Sequence, residues 1–404
     1  MQVLTNLTPG ILIFHPQSLP TSVRSWRDID TTADPQWAQP WEFLRPFFRE
    51  AGYDLYRAGI NGKLSTPNTT TPPALDSFGL YGDRSKLKTH FIPVSQVFPA
   101  RDTMDRDVVI KLISKGKEGE NERQILQMLN SEPLQCDPAN STVPVIEFLE
   151  YQEYCFAVMP YCDGCDERPF LHASECLDFA EQVLEGISFL HTHRIAHLDI
   201  STENILVNHH GLLTQTFILQ GQHEPPLKIW PPQEWRSTFP VRYLFMDFGY
   251  SIRFNEDVRL GKCTALPFPQ GREHRAPEVR GTQAFNPFAA DVYQTARIFY
   301  GWFPDLVDDV PDLLKLLQDM SSYNPSRRIT ATEALARLRT LRSTIPDEKL
   351  KDLRERELLI FPLVPRSHLV MFRDILETGK WSLACQFAWA LLQIWCACIT
   401  ILVL

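Results

Sequence analysis

The sequence predicts an α+β fold in two lobes, a small β-rich one followed by a larger, mostly helical one, with a transmembrane helix at the C-terminus. Three observations carry this reading. Short apolar strands crowd residues 89–160, helical apolar spacings dominate residues 161–342, and residues 381–404 hold no charged side chain. A chain of 404 residues is long enough for one two-lobed unit with extensions.

In chain order, residues 1–88 read as a partly ordered extension rich in proline, threonine and aromatics. Within it the large apolar residues of 41–56 have helical spacing, and 65–73 (STPNTTTPP) reads as a connector. Trp26, Trp37 and Trp41 are expected to be core rather than a binding cage, and no function is assigned to this part. The small lobe, 89–160, opens with strands at 91–98 and 108–113 joined by a turn at 102–106. Val108, Val109 and Ile110 are β-branched and deliver Lys111 at their end. A helix follows over 120–130, with Glu122, Ile125, Leu126 and Leu129 on one face, then strands at 143–150 and 154–159.

The larger lobe, 161–342, begins with an amphipathic helix over 174–191, capped at Ser174 by a half-realised capping box in which Leu177 replaces Glu or Gln. Residues 207–242, with scattered glycines and prolines, read as an insertion before a strand at 243–246. A nearly all-apolar helix is expected at 289–302 and a capped terminal helix at 330–341, followed by a linker over 343–380.

Composition narrows the function classes. Hydrophobic residues make up 44% and charged residues 22%, ordinary for a globular protein. A net charge of -9 without a Lys/Arg cluster argues against a nucleic-acid partner. The nine cysteines are scattered, which argues against a disulfide scaffold, and the CxxC at Cys162 and Cys165 lacks a second pair at ligand spacing. As a helix, 381–404 would reach about 36 Å, enough to cross a hydrocarbon core of about 30 Å. The expectation is a cytoplasmic folded part anchored to a membrane by this tail.

The chemistry lies in Lys111, Glu122, His197-Leu198-Asp199, Asn204, Asp247-Phe248-Gly249 and Ala276-Pro277-Glu278. Phosphoryl transfer needs a cation on the phosphates, oxygen ligands for magnesium and a carboxylate facing the acceptor hydroxyl, and this set contains each. In this order the residues resemble the eukaryotic protein kinase superfamily over about 90–342, as a divergent member similar to fungal-type orphan kinases. The resemblance implies ATP and Mg2+ as cofactors and a protein substrate, with serine or threonine favoured over tyrosine as acceptor. It implies that Lys111 holds the phosphates with Glu122 as its helix partner, that Asp199 handles the hydroxyl proton, and that Asn204 and Asp247 bind the metal. Met159 and Tyr161 join Lys111, Asn204 and Asp247 as nucleotide contacts, Asp291 steadies the catalytic loop, and Arg328 pairs with Glu278.

Three departures from the family pattern bear on turnover. Residues 90–100, where a glycine-rich phosphate loop is expected, contain no glycine, and Gly79 and Gly82 lie upstream. Leu198 replaces the usual arginine, which removes control by a phosphorylated activation loop, and Ser201 replaces the usual lysine. The missing glycines and Ser201 support an alternative, a nucleotide-binding scaffold with little turnover; a third reading, a small-molecule kinase on the same fold, stands because fold does not fix substrate.

Overall fold

The computed structural model describes residues 19–58, 94–209, 239–268, 275–303 and 310–346, except 32–33, 35, 166–169 and 171, together with 64–65, 67, 236, 306 and 350. The first elements are helices α1 (Val23–Arg27) and α2 (Gln39–Glu50), then strands β1 (Asp54–Leu55), β2 (Arg57–Ala58), β3 (Leu64–Ser65), β4 (Val97–Arg101) and β5 (Asp107–Lys115). Helix α3 (Glu120–Leu129) precedes β6 (Glu147–Tyr151) and β7 (Tyr154–Pro160). Strands β1, β4, β5, β7 and β6, in that spatial order, form one antiparallel sheet.

Both faces of β5 are covered, and the alternation of its side chains explains why. Val108, Ile110 and Leu112 face an aromatic cluster that includes Trp26, Trp37, Trp41, Phe48, Phe98 and Phe156. Ile113, on the alternate face of the strand, joins Ile125, Leu126 and Leu129 of α3, and the register shifts between Leu112 and Ser114. None of the three tryptophans exposes more than 1% of its surface. The indole N–H groups of Trp26 and Trp41 both donate to Ser95 O at 2.8 Å, which satisfies two buried donors on the turn that enters β4. Helix α1 is also capped from afar, because the Glu118 carboxylate accepts the N–H groups of Val23 and Arg24 at 2.8 Å.

These contacts correct two sequence expectations. The small lobe does not begin at residue 89: β1 pairs with β4 as Asp54↔Arg101 and Leu55↔Ala100, and α1 and α2 pack against the sheet. Nor do residues 94–101 form a phosphate loop, since they are a turn and strand β4 inside the sheet. The connection from β1 to β4 carries the β2–β3 pair; residues 59–63 between these two strands, with Gly59 and Gly62, lie outside the described residues.

The larger lobe adds β8 (Asp163–Gly164), α4 (Ala173–Thr192), β9 (Ile195–Ala196), β10 (Ile205–Val207), β11 (Tyr243–Phe245) and β12 (Ile252–Arg253). It continues with α5 (Pro287–Trp302), α6 (Pro311–Met320) and α7 (Ala331–Thr344). Helix α4 starts at Ala173 after His172, so Ser174 is not its cap. A Cβ at Gly186 would meet the Phe245 ring at 2.7 Å, so glycine there lets α4 lie close against β11. Asn286 caps α5 and Thr330 caps α7. β10 and β11 pair directly, so the expected insertion at 207–242 is a connection between neighbouring strands; 210–235 lies outside the described residues. Among the described residues no helix is long and apolar enough to cross a membrane, and the expected tail at 381–404 lies outside them.

Candidate active site

Two strand pairs bring the chemistry-bearing loops together. β10 and β11 pair as Ile205↔Phe245, so Asn204 at the head of one strand lies beside Met246 at the end of the other. The Met246 N–H donates to Asn204 O at 3.0 Å. β9 and β12 pair as Ile252↔Ala196. The segment 197–204 runs from β9 to β10, and 246–251 runs from β11 to β12, so both loops are fixed at both ends by the same two ladders.

Asp291, fully buried on α5, holds the first loop. Its carboxylate accepts the N–H of His197 at 2.8 Å and of Leu198 at 2.7 Å, and meets His191 Nε2 at 3.0 Å. These bonds keep Leu198 at φ +64°, a left-handed backbone that costs an ordinary residue about 1–2 kcal/mol. Asp247 has the same strain, at φ +63°. The His197 ring bridges the loops, with Nε2 3.1 Å from Met246 O and Nδ1 accepting the Asp199 N–H at 3.3 Å. Burial pushes its pKa down, against the pull of Asp291, which agrees with a neutral ring using one nitrogen as donor and the other as acceptor.

Lys111 follows Ile110 on β5 and so points to the opposite face of the sheet from the aromatic cluster. Its Nζ donates to Glu122 Oε1 at 2.6 Å and to Asp247 Oδ1 at 2.8 Å. The short path from β5 to α3 needs Gly119 at φ +79°, where a Cβ would lie 2.1 Å from Ile113 O. Burial alone would lower the lysine pKa, but the carboxylates of Asp247 and Glu122 outweigh it and the net shift is upward. The ammonium in turn holds Asp247 well below the usual carboxylate range. Burial pushes Glu122 upward, with Lys111 opposing. Asp247 keeps 35% of its side chain exposed, so a ligand can reach it. Asn121 Nδ2 donates to Ser251 O at 2.7 Å and ties α3 to the second loop.

Asp199 is held by both oxygens. Asn204 Nδ2 donates to Asp199 Oδ2 and to Asp199 O, each at 2.9 Å. Arg275 Nη2 donates to Asp199 Oδ1 at 2.9 Å. Nothing in the sequence reading singled out Arg275; its position directly before Ala276-Pro277-Glu278 was the available signal. Ser201 is buried, and its Oγ has no hydrogen-bond partner.

The remaining expected residues lie around this centre. Met159 is on β7 opposite Val109, and the Tyr161 N–H donates to Asp107 O at 3.3 Å where the chain leaves the small lobe. Arg328 meets Glu278 through both guanidinium nitrogens, Nη2 to Oε2 at 2.9 Å and Nη1 to Oε1. Cys165 Sγ donates to Thr202 O at 3.3 Å, and no cluster of three or more His, Cys, Asp or Glu that could hold a metal occurs among the described residues.

The sequence compares with known proteins as follows. It is 35% identical over 86 residues to the probable serine/threonine-protein kinase KKQ8 of Candida glabrata, covering 19% of this chain and 11% of that protein. It is 28% identical over 132 residues to the serine/threonine-protein kinase PrkC of Bacillus subtilis, covering 30% of this chain and 20% of that one. It is 28% identical over 127 residues to the probable serine/threonine-protein kinase FMP48 of Saccharomyces cerevisiae, covering 27% and 33%. These matches each span a third or less of the relative's own length. The protein kinase domain profile matches residues 93–304, more than half of the chain, and takes in Lys111, Glu122, Asp199, Asn204 and Asp247: the chain belongs to the protein kinase family.

Proposed function

We propose that the chain is an ATP- and magnesium-dependent protein kinase that moves the γ-phosphoryl group of ATP to a serine or threonine hydroxyl of a protein substrate. The observation that supports this most is the meeting of the two lobes at one charged centre, where Lys111 of β5 reaches Asp247 at 2.8 Å. The serine/threonine kinase names of the relatives support the acceptor class.

The donor atoms fit magnesium, which prefers hard oxygen ligands. Asp247 is held ionised, and Asn204 spends its amide nitrogen on Asp199, which leaves its amide oxygen for a cation. Bound magnesium would neutralise phosphate charge and orient the phosphoryl group. The protein's own part follows from the residues around it. Lys111, steadied by Glu122, binds phosphate oxygens. Asp199 accepts the hydroxyl proton as the hydroxyl oxygen bonds to phosphorus and the bond to the ADP oxygen breaks. Met159 and Tyr161 line the nucleotide side, where the chain passes between the lobes.

Incubating the purified chain with γ-labelled ATP, magnesium and a panel of Ser/Thr peptides, beside Asp199→Asn, tests this reading. Label transfer by the wild type and its loss in the variant is the expected result; equal transfer by both would sink the proposal. Ser201, uncharged where the family pattern has lysine, favours a second reading, a nucleotide-binding scaffold. Its signature is a magnesium-dependent rise in melting temperature with ATP and no transfer. We extend the proposal to membrane attachment through 381–404, on hydrophobicity alone; recovery of the full-length chain in the soluble fraction after alkaline carbonate extraction would refute it.

A further inference from the structure

The acceptor half of the site lacks two cations in sequence but gains one in space. Leu198 and Ser201 are uncharged, and Ser201 is buried with an unpartnered hydroxyl. The Arg275 guanidinium enters from the segment before Ala276 and bonds Asp199 Oδ1 at 2.9 Å, with 1% of its side chain exposed. It lies 4.5 Å from the Tyr250 ring centroid and 4.6 Å from that of Phe268, and these two rings are nearly parallel. Such a stack fixes a planar guanidinium before substrate arrives.

We propose that Arg275 is a positioning residue for phosphoryl transfer, supplying from its place before Ala276 the positive charge that 198 and 201 lack. With Asn204 on Oδ2 and Arg275 on Oδ1, the Asp199 carboxylate is anchored at both oxygens and its plane is fixed. A proton acceptor fixed in this way meets the hydroxyl in one orientation, a gain in geometry that shows in turnover rather than in nucleotide affinity. The charge also sits in a largely water-excluded pocket, where it is screened little. The inference rests on the kinase reading above, because it concerns how Asp199 works in that reaction.

The test is steady-state kinetics on the full-length chain. Arg275→Met keeps length and apolar stacking but removes the charge; kcat should fall on the order of 10- to 100-fold with the KM for ATP unchanged. Arg275→Lys should recover part of the loss. Ser201→Lys in the Arg275→Met background should also recover rate, since it returns a cation by the other route, and a purely structural role for Arg275 would not respond to it. Should Arg275→Met fail to fold, Phe268→Ala, at a half-buried position, removes one ring of the stack and should lower kcat at least threefold with the same ATP KM. Wild-type turnover matched by Arg275→Met or by Phe268→Ala, or a raised ATP KM at constant kcat, overturns the inference alone. A wild type no more active than Asp199→Asn overturns the kinase reading and this inference together.

Discussion

The two halves of the site are built differently. The nucleotide half sets one ammonium, Lys111, between two carboxylates, Glu122 and Asp247, and so keeps an excess negative charge that a bound cation would relieve. The acceptor half sets the Asp199 carboxylate against the Arg275 guanidinium at 2.9 Å. The first keeps the residue types the family pattern expects; in the second, Ser201 stands where that pattern has lysine, and the cation beside Asp199 comes from another segment. A cation can therefore stand beside this carboxylate without occupying the position in sequence where the family pattern leads one to look for it.

The sharpest way to break the comparison is Lys111→Met. It leaves two carboxylates facing each other and should lower kcat/KM by about 10²- to 10³-fold, the scale of losing a preorganised charge partner, with loss of the ATP-induced rise in melting temperature. Kinetics and thermal melts on one preparation check both.

Next in size is Trp41→Ala, which acts on the small lobe alone. Trp41 is fully buried against Phe48, Phe98 and Phe156, so truncation should cost about 3–5 kcal/mol by urea unfolding. If the nucleotide half depends on this lobe, ATP stabilisation should weaken while the contacts of Asp199 stay.

Glu278→Ala probes the other side. It strands the Arg328 guanidinium, whose side chain is fully buried, and should destabilise the larger lobe by roughly 3 kcal/mol. An unchanged melting temperature would refute the pairing as a support of the Arg275 segment.

The smallest effect is expected at the surface. Glu181 joins α4 to α7 through Arg339 at 2.8 Å and Arg342 at 3.0 Å. Burial would raise its pKa, but the two guanidinium groups reverse this and lower it below 4.5. Because the folded value is depressed, its contribution is present above about pH 4.5 and fades as pH falls through the folded value. Glu181→Gln should cost under about 1 kcal/mol at pH 7 and flatten the loss of melting temperature between pH 5 and 3.

Much of this was legible in the chain. The β-branched run before Lys111, the offsets from His197 to Asn204 and the apolar strand into Asp247 are local patterns, and the structure joins them through β10 and β11. The Glu278–Arg328 and Asp291 contacts followed from the resemblance, and the structure contains both. What escaped was set by distant partners. Strand β1 has only two residues and pairs with a strand far along the chain, so no alternation could announce it. Glu118 caps a helix that precedes it by more than ninety residues. Arg275 finds Asp199 across 76 positions, a contact that no spacing rule encodes. The helix at 174–191 was found but its start misplaced, because Ser174 resembles a cap although the chain turns helical one residue earlier.

The shared carbonyl of Ser95 has a practical side. A recombinant piece trimmed to the recognised span, 93–304, would keep that oxygen but discard both indoles that bind it, baring the apolar face of the sheet. The same cut would remove Arg328 and leave Glu278 without its counter-charge. Inactivity of such a piece would report the scissors rather than the enzyme.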